Sequence, residues 1–172
     1  IYLLNTMIVY HGLTQIVKTP LVNIGRRNMD FGQGFYFTDI EEQAISWASR
    51  PLNAQKTQVI NVYNLDAEAI ITTDIAYKRF VAYNGEWLDF VVANRRGEQL
   101  WREYDVIEGG IANDRVFNTI ELYSNGLIDK QTALQKLQYE KPNNQICILK
   151  QSVADCYLHF IEAKIIREGG QP

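Results

Sequence analysis

Between Gln58 and Leu65 the side chains alternate, Val59, Asn61 and Tyr63 against Ile60, Val62 and Asn64, at the two-residue period of a β-strand. Two apolar runs read as further strands: Ile8 to Tyr10, ending in His11-Gly12, and Asn144 to Leu149, with a polar mouth. Tyr104 to Ile107, closing into Gly109-Gly110, and His159 to Ile166 follow suit. Ala69 to Thr72 is expected to partner the 58–65 strand after a turn at Asp66. Elsewhere the spacing is helical. Ile40, Ala44, Trp47 and Ala48 mark a helix from Ile40 to Arg50, with Thr38 and Asp39 as caps and Pro51 as its stop. Tyr77 to Tyr83 reads as a short helix, and Gly85 separates it from an amphipathic one with Trp87, Phe90, Val91 and Asn94 on one face. Arg95-Arg96 suit the negative end of that helix, which stops at Gly97. Asn113-Asp114 start a helix over Arg115 to Tyr123, Asp129 starts another through Leu137, and Gln151 to Tyr157 is helical. Strands and helices intermingle without a repeat, and the strand count is compatible with an α+β fold.

One stretch stands out against this pattern. In Asp30-Phe31-Gly32-Gln33-Gly34-Phe35-Tyr36-Phe37-Thr38, two glycines bracket one residue and three aromatics follow. Gly32 and Gly34 suit either a tight turn or close approach to a ligand, where a Cβ would clash. With Phe35 and Phe37 facing a core, alternation turns Tyr36 the other way, towards a cleft over which Trp47 can fold. The plainer reading is a glycine turn, a buried strand and Trp47 in the core. Just upstream, Arg26-Arg27 present fork-shaped donors that suit a diphosphate and equally a solvated loop.

Composition narrows the picture. A chain of 172 residues, 47% hydrophobic, is expected to fold as one domain over residues 7–166. Ile1 to Thr6, ahead of Met7, reads as a cloning remnant or upstream sequence, and residues 167–172 as a frayed tail. A net charge of -3 gives no footprint for broad nucleic-acid binding. Cys147 and Cys156 read as small buried hydrophobes, too few for a metal cluster or a disulfide framework. No run approaches a membrane span and no signal peptide opens the chain, so a cytoplasmic protein is expected. The Gly-x-Gly lacks the third glycine of a Rossmann site, and no Gly-Lys-Ser/Thr marks a P-loop.

The His11-Gly12 strand, the Gly-x-Gly-Phe-Tyr-Phe segment, Trp47 on the next helix and the late Gln145 together resemble the ADP-ribosyltransferase clan, on its diphtheria-toxin and poly(ADP-ribose) polymerase side. Within that clan the chain is most similar to a bacterial family known only as a domain of unknown function. The resemblance runs from about Met7 to Ile166. It implies two small, facing β-sheets flanked by helices, and NAD as substrate, with no metal.

It also implies roles. Gly12 would offer its backbone N–H and C=O to the nicotinamide carboxamide, and His11 would bind a ribose hydroxyl of the adenosine half. Tyr36 and Trp47 would wall the nicotinamide slot, with Gly34 and Arg27 beside the ligand. Gln145 departs from the family's usual glutamate, which holds the nicotinamide-ribose 2′-hydroxyl; an amide keeps an acceptor oxygen without the charge. The expected catalytic set is therefore Gln145, His11 and Tyr36, with Glu140 or Glu121 as alternative sources of a carboxylate. The resemblance implies mono-ADP-ribosyl transfer to a protein or nucleic-acid acceptor, in the setting of a toxin neutralised by an antitoxin protein. NAD hydrolysis, or a catalytically weak NAD-binding or interaction module, are the alternatives.

Overall fold

A computed structural model describes residues 6–170. In chain order it contains β1 (Thr6–Leu13), β2 (Phe35–Phe37), α1 (Glu41–Ala48), β3 (Gln58–Asp66) and α2 (Ala67–Thr72). There follow β4 (Tyr77–Arg79), α3 (Gly85–Arg95), β5 (Val106–Gly110), α4 (Asp114–Ser124) and α5 (Lys130–Leu137). β6 (Asn144–Ile148), α6 (Gln151–Tyr157) and β7 (Leu158–Arg167) complete the chain.

Among the described residues seven strands make two sheets. The first, in order β1-β3-β7, is antiparallel throughout; the second, in order β2-β6-β5-β4, is antiparallel except for the parallel pair β4–β5. Strand alternation sorts their side chains into separate cores. Val9, Tyr63 and Leu65 from the first sheet meet Phe35, Phe37, Val106, Ile146 and Ile148 from the second in the space between them. On the far side of the second sheet, Ile107 and Cys147 pack under α3, α4 and α5. On the far side of the first, Ala44 and Ala48 of α1 lie on Ile60 and Val62. Two facing sheets flanked by helices are thus what the chain forms.

Helix starts follow their caps. Asn84 accepts from Trp87 N–H, Asn113 from Val116 N–H and Asp129 from Thr132 N–H, each satisfying a first-turn donor. α1 differs from its expectation: it begins at Glu41 behind Ile40, with no side-chain cap. Thr38 Oγ1 instead accepts from Ile40 N–H at 3.1 Å, before the helix proper.

Several expectations are corrected. Ala69 to Thr72 is not a strand but part of α2, because Asp66 Oδ1 caps Ala69 N–H at 3.0 Å and turns the chain into a helix. Tyr77 to Arg79 is not a helix but β4, held by its parallel pairing with β5. α3 is buried on nearly all sides, from Trp87 to Asn94 with only Asp89 exposed, because the second sheet covers one flank and α4 the other. Cys147 is buried as expected, but Cys156 is exposed. β1 also runs on through His11-Gly12 to Leu13 rather than ending there. Arg167 still belongs to β7, and Gly169 N–H donates to Thr57 Oγ1 at 3.1 Å. Ile1 to Asn5, with most of the segment read as a remnant, and Gln171-Pro172 lie outside the described residues. Among the described residues no helix is long and apolar enough to cross a membrane.

Candidate functional site

The two sheets approach each other through β1 and β2, and there the contact is one bridge. Tyr10 N–H donates to Thr38 O at 2.7 Å, and Thr38 N–H to Tyr10 O at 3.0 Å. Tyr10 therefore points both backbone groups away from β3. By the two-residue period Gly12 does the same, at a level where β1 and β2 no longer pair. This edge presents one N–H and one C=O side by side, beside Tyr36.

His11, one residue earlier, projects on the opposite face with Val9, into the space between the sheets. Its ring lies 4.5 Å from that of Phe35, and its Nδ1 sits 2.6 Å from Tyr36 O. A carbonyl oxygen only accepts, so Nδ1 carries the proton. Burial holds the imidazole below its ordinary range, against the opposing pull of the Tyr36 carbonyl. At neutral pH His11 is thus neutral, with the lone pair on Nε2 as an acceptor.

Tyr36 is half-buried, on the face of β2 opposite the buried Phe35 and Phe37, as the alternation suggested. It turns into the helix-side core, where its hydroxyl donates to Gly32 O at 2.7 Å and accepts from Phe31 N–H at 3.2 Å. Burial raises its pKa well above 10, with Cys147 and Asp30 adding to the effect, so it stays a phenol. The ring therefore pins the glycine segment behind it. Gly32 has φ +86°, and a Cβ there would fall 2.1 Å from the Trp101 ring. At Gly34 a Cβ would lie 2.5 Å from both Cys147 Sγ and Ile148 O. Of the two sequence readings, turn or ligand approach, both glycines are used to seat the segment on Trp101 and β6.

Gly12 is also packed. A Cβ would meet Ala44 O at 1.8 Å, so α1 lies directly on this position. Trp47, half-buried, is on the same helix, one turn beyond Gln43. Gln43 Oε1 accepts from Asn143 Nδ2 at 3.3 Å, which turns that flank of α1 towards the entry of β6. Among the described residues no ring contact joins Trp47 to Tyr36; His11, not Trp47, is the ring against Phe35.

Gln145 is buried in β6, opposite Gly109 and on the same sheet face as Cys147 and Tyr36. Its Nε2 makes a long bond of 3.4 Å to Gly110 O, which leaves the amide oxygen as an acceptor. The carboxylates considered as substitutes are placed elsewhere: Glu121 pairs with Arg95 at 3.4 Å, and Glu140 lines a surface hollow between α4 and α5 with Arg115, Lys136 and Tyr139. Arg27, with Arg26, is exposed on the loop between β1 and β2. Gln33 steadies that loop by donating to Asn23 O at 2.7 Å and Gly25 O at 2.8 Å. At this junction His11 is joined to Tyr36 and Gly12 lies opposite it, Gln145 shares the Tyr36 face of the second sheet two residues before Cys147, Trp47 is on the helix above Gly12, and Arg27 is on the neighbouring loop.

A family model described as Protein of unknown function (DUF3990) matches residues 7–160, from Met7 in β1 into β7. The chain belongs to DUF3990. No curated protein and no solved structure matches it. Every residue at the junction falls inside the DUF3990 match.

The DUF3990 junction also depends on residues that sequence reasoning missed. Asn94 Nδ2 donates to Asp30 O at 2.9 Å, and its Oδ1 accepts from Trp101 N–H at 3.3 Å. Arg95 Nε lies 2.6 Å from Asp30 Oδ1, with both side chains largely shielded. These bonds clamp the start of the glycine segment to α3. The dipole reading of Arg95 leaves this pair out; the signal available is Asn94, a fully buried amide directly after the apolar run Val91-Val92-Ala93. Glu108 and Asn144 were missed as well. Glu108 is diagonal to Gln145 but on the opposite face, where it takes the Tyr77 hydroxyl and Asn144 Nδ2.

Proposed function

We propose that this DUF3990 protein belongs with the ADP-ribosyltransferases and transfers single ADP-ribose units from NAD. The observation that carries the reading is the split between β1 and β2. Gly12 offers a donor and an acceptor at the height of Tyr36, whose face of the second sheet also carries the buried Gln145, and a planar carboxamide needs that pairing. Neutral His11, with its proton fixed on Nδ1, would accept a ribose hydroxyl at Nε2. Tyr36 supplies a rigid wall, Trp47 the opposite one, and exposed Arg27 a partner for the diphosphate.

In this reading the bond from ribose C1′ to the nicotinamide nitrogen breaks, and its electron pair leaves with nicotinamide. Positive charge develops on the ribose, and a nucleophile of the acceptor then bonds C1′ and gives up its proton. Gln145 Oε1 would hold the 2′-hydroxyl. As a neutral acceptor it stabilises that charge less than a carboxylate does. The acceptor is a protein or nucleic acid, and the setting a cytoplasmic toxin neutralised by an antitoxin protein. Water as acceptor would make the same site a NAD glycohydrolase. One observation favours a second reading, a weak NAD-binding module: on the face that carries Gln145, β5 contributes Ile107 and Gly109, while Glu108 points the other way.

The test is single-turnover nicotinamide release from NAD by wild type, Gln145→Ala and Gln145→Glu, beside nicotinamide titration of each. Binding by all three, with slower release for alanine and faster for glutamate, is the expected outcome. A wild type that binds neither nicotinamide nor NAD overturns the proposal. Binding without release in every variant establishes the module reading, and label carried to a macromolecule rather than water separates transfer from hydrolysis.

A further inference from the structure

We propose that Asn144 is a positioning residue that sets Gln145 and the Trp47-bearing helix in one frame; the inference rests on the proposed NAD site. Its Nδ2 has two hydrogens and spends them on two carboxylates from different elements, Glu108 Oε1 at 3.0 Å and Asp39 Oδ1 at 3.2 Å. Its backbone carbonyl accepts from Thr38 Oγ1 at 2.7 Å, and that same oxygen takes Ile40 N–H at 3.1 Å. Glu108 is further held by the Tyr77 hydroxyl and by Arg79 Nε at 3.8 Å, its side chain only 14% exposed.

One short amide thus ties β4, β5, β6 and the approach to α1. Gln145 follows it directly and, among the described residues, its side chain has only the 3.4 Å bond to Gly110 O. Its placement therefore depends on where β6 enters the sheet. α1 begins three residues after Thr38, so the same clasp sets the helix that carries Trp47. A contact made on the ribose in the transition state and a wall of the nicotinamide slot then move together or not at all. An aspartate at the same position would keep the shape, lose both donors and face two carboxylates.

The experiment compares wild type, Asn144→Asp and Asn144→Asp with Glu108→Gln, in which donor and acceptor are exchanged. Hydrogen exchange over residues 39–42 and 144–146, nicotinamide affinity and single-turnover nicotinamide release are measured on each. Asn144→Asp should exchange faster in both segments and release nicotinamide at least about tenfold more slowly, with a smaller change in nicotinamide affinity. The double variant should recover most of the rate. Unchanged exchange in Asn144→Asp, or no recovery in the double variant, overturns the proposal. Should Asn144→Asp not fold, Thr38→Val breaks the same tie from β2 and is read identically. A wild type without turnover defeats the NAD reading alone, and hydrogen exchange then decides the clasp by itself.

Discussion

Tyr36→Phe removes one oxygen and leaves the ring. In the folded chain that oxygen serves two groups of the glycine segment, Gly32 O at 2.7 Å and Phe31 N–H at 3.2 Å. Losing the first costs about 0.5–1.5 kcal/mol net, and leaving the buried Phe31 N–H without an acceptor costs about 1–3 kcal/mol. The sum is about 1.5–4.5 kcal/mol, or roughly 3–18 °C in melting temperature for a chain of this size. Alkali adds a second signature. Folded Tyr36 holds its proton well above pH 10, chiefly through burial, whereas the unfolded chain ionises near 10.0. Stability is therefore fully present below pH 10 and falls as pH rises beyond it, and Tyr36→Phe should fall less steeply. Thermal and urea melts from pH 7 to 11 provide both measurements, with nicotinamide titration to show that the aromatic wall survives. A melting point within about 2 °C of wild type at pH 7 would refute the argument, because the hydroxyl would then hold nothing.

His11 is held neutral, so the unfolded chain takes up its proton first, near pH 6.5, and stability drops as pH falls below that towards the lowered folded value. His11→Asn should flatten urea-melt stability between pH 7 and 5 by at most about 1.4 kcal/mol per pH unit; an unchanged slope counts against the buried neutral ring. Gly12→Ala forces a Cβ to 1.8 Å from Ala44 O, so α1 must lift; a loss of about 1–3 kcal/mol or more is expected, and an unchanged melt would mean the helix is not seated there. Arg95→Ala strands the shielded Asp30 carboxylate and should cost about 2–4 kcal/mol, whereas equal melts for wild type and alanine would show the pair to be idle.

Much of this fold is visible in the chain because its signals are local. The alternation over Gln58 to Leu65 and the apolar run after Gln145 identify strands that form where expected, and Asn113 and Asp129 start the helices they cap. The errors fall where a cap or a strand distant in sequence overrides residue preference. Ala69 to Thr72 carries two isoleucines suited to a strand, yet the Asp66 cap prevails over a six-residue segment. Tyr77 to Arg79 is a strand only because β5 lies beside it. The chemistry was legible as a list of residues, not as an arrangement. Nothing local says that the Tyr36 hydroxyl turns back on Gly32, or that Asn144 joins two carboxylates far apart in the chain.

The pairing of β2 with β6 governs when the junction can come into being. Phe35 finds Ile148 and Phe37 finds Ile146, with most of the chain lying between. At synthesis rates of about 5–20 residues per second, His11 and Tyr36 emerge several seconds before Gln145 exists, and closing so long a loop is itself slow. A ribosome-bound fragment that stops short of β6 has the glycine segment without its strand neighbour. Under the proposed activity, unfinished chains are inert, and the cell that makes this protein meets its chemistry only from completed molecules.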